Sequence, residues 1–164
     1  MQKDFESLFY EAEDHYLQNS DLANLNDRAE RLKQCLEIYQ ELRDKEIPIF
    51  QLVADSLIEA FPEENTQRLE QALKHWMSVM RYGAMAMLLN NPDYFRHRLL
   101  EWLTDIINAQ EMVAIETHIF DCLKQGLEEM FTSEKMNLIN PFLEQANMML
   151  LKTKSQSETL MVGE

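Results

Sequence analysis

Glycine, proline and cysteine are all scarce in this chain of 164 residues, which holds three, four and two of them. So few glycines and prolines supply too few turns for a sheet-rich or loop-rich fold, and the chain reads as all-α. Gly83, Gly126 and Gly163 cannot make either glycine-rich nucleotide pattern, which excludes a phosphate-cradling loop. Cys35 and Cys122 are isolated, with no second cysteine at metal-ligand spacing. Neither a zinc site nor a disulfide framework is indicated, and two free thiols are expected.

Positive charge and long apolar runs are lacking too. Fifteen Lys and Arg against 29 Asp and Glu give a net charge of −14. Such a surface repels phosphate backbones and anionic lipid, so nucleic acid is not an expected partner. The longest uninterrupted apolar run, from Gly83 to Leu89, is far too short to cross a bilayer core of about 30 Å. Met1 to Tyr10 does not follow the basic-then-apolar layout of a secretion signal, so a cytoplasmic protein is expected.

Apolar residues make up 46% of the chain and charged residues 27%, the make-up of one globular domain. We place that domain at residues 1–151, with 1–18 as an N-terminal helical extension and 152–164, KTKSQSETLMVGE, as a flexible tail without usable period. Within Asp4 to Gln18, the residues Phe5, Leu8, Phe9, Ala12, Tyr16 and Leu17 fall at helical spacing, with Ser20 as cap for the next helix. From Ser20 to Lys45, Leu22, Leu25, Ala29, Leu32, Leu36, Tyr39 and Leu42 recur at steps of three and four, which predicts one narrow buried stripe. Pro48 fits the first turn of a separate helix that stops at Phe61-Pro62. The broad apolar face of residues 66–89 ends at Asn90-Asn91-Pro92, and Pro92 opens a helix carrying Phe95, Leu99, Trp102, Leu103 and Ile106. Another stripe runs from Met112 to Phe131, and a last helix is expected to start at Asn140-Pro141.

This order resembles the phycobilisome α/β family. The resemblance lies in Tyr16-Leu17-Gln18-Asn19-Ser20-Asp21-Leu22, the long helix after it, Phe61-Pro62, Met80-Arg81-Tyr82 and Arg98-Leu99-Leu100-Glu101-Trp102-Leu103. It implies a globin-like pack with an N-terminal helical extension. The family marks its bilin-bearing helix with a cysteine, then Arg and Asp two and three positions on, Leu-Arg at eight and nine, and Tyr at thirteen. With Tyr82 on the last position, the others fall on Leu69, Gln71, Ala72, Met77 and Ser78. The thioether-forming cysteine and the carboxylate that would bond a protonated pyrrole are both missing. No register restores them, because no cysteine lies between Cys35 and Cys122.

The resemblance therefore implies a non-enzymatic, pigment-free interaction or assembly factor of the phycobilisome or photosystem. Its setting would be a cyanobacterium, at the cytoplasmic face of the thylakoid. In the family the N-terminal helices pair subunits, which makes Phe5, Leu8, Phe9, Tyr16 and Leu17 the expected surface for a dimer or a photosynthetic partner. No cofactor is expected. An alternative keeps the pocket for a bilin or haem held without a thioether, with His75, Arg81, Tyr82, His97 and Arg98 as its candidate contacts. A globin-like sensor is a third reading.

His118 and Cys122 stand one helical turn apart and read as an imidazole–thiolate pair, as half a metal site, or as a core thiol beside a rim histidine. The eleven methionines and both tryptophans, Trp76 and Trp102, read first as core filling. No Ser-His-Asp or paired-carboxylate arrangement stands out, so catalysis has no support in the sequence.

Overall fold

The computed structural model describes residues 5–152, with side chains from Glu6 to Leu151. The expectations for residues 1–4, for the side chain of Phe5 and for the tail from 153 onward lie outside those residues. Among the described residues every regular element is helical. The helices are α1 (Phe5–Glu11), α2 (Asn19–Ala60), α3 (Thr66–Leu89), α4 (Pro92–Phe95), α5 (Glu101–Gln110), α6 (Val113–Met130) and α7 (Ser133–Asn147). Single π turns follow α4 at Arg96–Leu100 and α7 at Met148–Lys152. No described helix is long and apolar enough to cross a membrane.

The N-terminal helix is shorter than its periodicity suggests. α1 ends at Glu11, and residues 11–15 leave it through turn hydrogen bonds from Glu13 N–H to Tyr10 and from Asp14 N–H to Glu11. Glu11, Glu13 and Asp14 bring three carboxylates to the negative end of the helix dipole, where they oppose extension. Asp21 accepts from the backbone N–H of Gln18 at 3.2 Å, so the cap of α2 is Gln18, two residues before the expected Ser20.

Both proline expectations need correction. Pro48 lies inside the 42-residue α2, and Pro141 lies inside α7, which starts at Ser133. Each removes one backbone donor, but each helix is anchored on both sides of its proline. α2 buries Ile38 and Leu42 before Pro48 and Phe50, Val53 and Leu57 after it. In α7, Met136 and Ile139 are buried before Pro141, and Phe142, Leu143 and Ala146 after it. Tertiary burial at about 1.5–3 kcal/mol per large side chain outweighs the roughly 3 kcal/mol that an interior proline costs.

The centre of the molecule is α3, which packs against α2, α6 and α7. Its start is set by Asn65, whose side chain accepts from the Gln67 N–H at 2.8 Å. Asn65→Ala should cost about 1 kcal/mol and lower the melting temperature by about 2–4 °C, which thermal unfolding followed by circular dichroism will read. Its end is Asn90, in the left-handed region at φ 49°, as the Asn-Asn-Pro corner predicts. The next helix is continuous through the π turn and ends at Glu111, also left-handed at φ 53°.

Candidate functional site

Two of the register positions of the bilin helix are core positions here, while Gln71, Met77 and Ser78 are half-buried and Tyr82 is exposed. Leu69, matched to the attachment cysteine, and Ala72, matched to the carboxylate, are both buried in α3. One turn further, Trp76 is fully buried, with its ring 5.5 Å from that of Phe120 on α6. Between α3 and α7, the Phe95 and Phe142 rings meet edge-on at 6.4 Å, beside Gly83. A Cβ on Gly83 would stand 3.4 Å from the Phe95 ring, so the glycine lets that ring lie close to the helix. The gap between Gly83, Phe95 and Phe142 is too small to hold a water molecule.

The side chains that could contact a tetrapyrrole do not converge. His75 turns into the core, its Nδ1 2.8 Å from an oxygen of Glu116 on α6. The indole N–H of Trp76 donates to the other oxygen of the same carboxylate. Burial pushes the Glu116 carboxyl above its ordinary value of 4.5, against the opposing pull of hydrogen bonds from His75 and Trp76. Arg81 leaves this region altogether and grips Glu46 of α2 with two hydrogen bonds, 2.7 and 2.9 Å long. Tyr82 stacks on Tyr94 at the surface with centroids 6.4 Å apart. His97 pairs with Glu101 at 3.1 Å, and Arg98 is exposed, its carbonyl accepting from the indole N–H of Trp102.

Glu116 is the residue that sequence reasoning missed, although a signal was there. It sits with Met112, Ile119 and Leu123 at steps of four, three and four, so a carboxylate occupies a core position of the α6 stripe. Ser56 was missed for a different reason. It comes from α2, 62 residues before His118, and reaches the His118–Cys122 pair only through the fold.

The expected partner surface divides. Leu8 is covered by the chain itself and so is not part of an open face, whereas Phe9 and Tyr10 are exposed, Tyr16 is 97% exposed and Leu17 is half-buried. The narrow buried stripe of the long helix is also corrected. Burial in α2 begins only at Cys35 and Ile38, each one position before the expected Leu36 and Tyr39, and rejoins the expected line at Leu42. Leu22, Leu32 and Leu36 are 50%, 45% and 46% exposed. About the first 24 Å of α2 thus fully buries no side chain, although Leu25 and Arg31 are half-buried, while it carries leucines at coiled-coil spacing.

No curated protein matches the chain. The sequence pattern of the family described as phycobilisome protein matches residues 8–150. With that match spanning nearly all of an all-α, globin-like pack, the chain belongs to the phycobilisome protein family.

Proposed function

We propose that this chain works without a covalent pigment, as a non-enzymatic assembly or regulatory subunit that binds protein partners of the phycobilisome or photosystem, at the cytoplasmic face of the thylakoid. The observation that carries this reading is the uncovered half of α2. Leu22, Leu32 and Leu36 form an apolar line that the chain leaves half-exposed, with Phe9 and Tyr16 exposed on the segment before it. Exposed leucines repeated along one helical face are costly in water unless a partner helix covers them. Leu69 and Ala72 offer no thioether and no carboxylate where the family holds its pigment, which favours docking over light capture. The dispersed placement of His75, Arg81, Tyr82, His97 and Arg98 weighs against the non-covalent tetrapyrrole.

Leu32→Glu with Leu36→Glu should weaken pairing about a hundredfold, roughly 2.7 kcal/mol, while leaving the helical circular dichroism unchanged, since neither side chain is in the core. Light scattering of the pure protein reads self-pairing, and capture from thylakoid extract with wild type and the double variant in parallel reads other partners. Equal recovery of the same partners by both, with no change in mass in solution, would remove α2 as the docking face. A purified protein that emerges coloured, or that shifts the bands of added biliverdin or haem, would instead restore the tetrapyrrole reading.

A further inference from the structure

Between the second half of α2 and α6 lies a groove of about 480 Å³, walled mainly by Ile49, Leu52, Val53 and Met130, with Lys45, Gln125 and Glu129 also in its lining. Two of its lining residues, Ser56 and Cys122, belong to a three-membered polar cluster. Ser56 Oγ is 3.0 Å from His118 Nε2 and 3.4 Å from Cys122 Sγ, and the thiol is 3.6 Å from the same ring nitrogen. The edge of Phe61 meets the imidazole at 5.7 Å and 87°, which holds the ring in place.

This geometry suits proton removal from the thiol. Nε2 can take the proton, after which its N–H donates to Ser56 Oγ while the serine O–H donates to the thiolate. Two hydrogen bonds in series then support a sulfur that lines the groove. Cys35 is the opposite case, fully buried. It has no contact of this kind among the described bonds and serves as an internal control.

We propose that Cys122 is a nucleophilic thiol that captures apolar α,β-unsaturated carbonyl compounds, with His118 as proton carrier and the groove as the seat of the hydrocarbon chain. The Sγ–C bond forms at the β-carbon as the C=C π bond opens. The thiol proton passes to His118 Nε2 and from there to the α-carbon, so one adduct forms with no oxidant, reductant or leaving group. The site is independent of the pairing face, which lies on the first half of α2.

Gly126 supplies the decisive variant. It lines the groove in mid-helix, and a Cβ there meets nothing within 4 Å, so Gly126→Leu fills the groove without disturbing the core. The full-length protein is treated with trans-2-nonenal and with acrolein, and adducts are followed by intact mass and peptide mapping, each rate divided by that of glutathione with the same aldehyde. A single adduct on Cys122 is expected, none on Cys35, with a normalised rate at least about tenfold higher for nonenal, since each buried CH₂ contributes about 0.8 kcal/mol. Gly126→Leu should abolish that preference while sparing the acrolein rate. His118→Gln should slow both aldehydes about tenfold or more, and Ser56→Ala should slow them less. Unchanged circular dichroism accompanies each variant. Equal normalised rates for the two aldehydes, equal labelling of Cys35, or a His118→Gln protein that reacts like wild type would overturn the proposal.

Discussion

Trp76→Ala should remove about 3–5 kcal/mol of stability, measured by urea unfolding. The side chain is fully buried in the middle of α3, against Phe120, in the helix that contacts α2, α6 and α7. Truncation opens a cavity at the centre of the molecule and strips one of two donors from a carboxylate that has no access to water. A domain of ordinary stability holds about 5–15 kcal/mol in all, so the variant should be partly unfolded near physiological temperature. Trp76→Phe separates the two contributions: it keeps most of the ring volume, loses the N–H, and should cost about 1–3 kcal/mol. Trp102→Ala is the surface counterpart. Its ring is half-exposed and its N–H bonds only the Arg98 carbonyl, so the loss should stay within about 1 kcal/mol. A Trp76→Ala protein as stable as Trp102→Ala would mean that the core closes over the gap.

The contrast between the two tryptophans shows where sequence reasoning reaches its limit. Helix type and order were legible, because apolar residues at steps of three and four occur in α3, α5 and α6 and the Asn-Asn-Pro corner ends α3 where it should. The family was legible from the same order, together with motifs such as Phe61-Pro62 and Met80-Arg81-Tyr82. Pro48 and Pro141 misled because local propensity places a helix start at proline, whereas burial on both sides of each keeps one helix intact. Periodicity identified the α2 stripe but could not say what covers it. The same leucines read as core from their spacing, yet in the fold Leu22, Leu32 and Leu36 are about half exposed. The site clusters were hidden for a third reason. His75 and Glu116 are 41 residues apart, and Ser56 and Cys122 are 66 apart, so their partnerships exist only once α6 lies against α3 and α2. The hydrophobic period can flag one member of such a pair, as it does Glu116 on the α6 stripe, but it does not name the partner on the other helix.

That distance from sequence is largest in consequence at Glu116. Its carboxylate joins α6 to two consecutive residues of α3, and it is fully buried. Glu116→Ala leaves the His75 and Trp76 donors facing a small void at about 1–3 kcal/mol each, so a loss of roughly 3–5 kcal/mol is expected. Glu116→Gln should cost much less, because the amide oxygen still accepts from the indole and the amide N–H can donate to His75 Nδ1 once the imidazole carries its proton on Nε2. The glutamine variant also removes a titration. Burial raises the folded carboxyl above 4.5, so the folded chain holds its proton where the unfolded chain has lost it. A group of that kind contributes most below 4.5, and its contribution is lost as pH climbs from there through the folded value. Wild type should therefore lose stability relative to Glu116→Gln as pH rises above 4.5, until the difference levels off once the folded group has ionised. Urea midpoints for the two proteins across pH 4 to 8 measure this directly. A difference that stays flat over that range would mean that the hydrogen bonds from His75 and Trp76 offset the cost of burying the charge, and that Glu116 ionises in the fold as readily as in water.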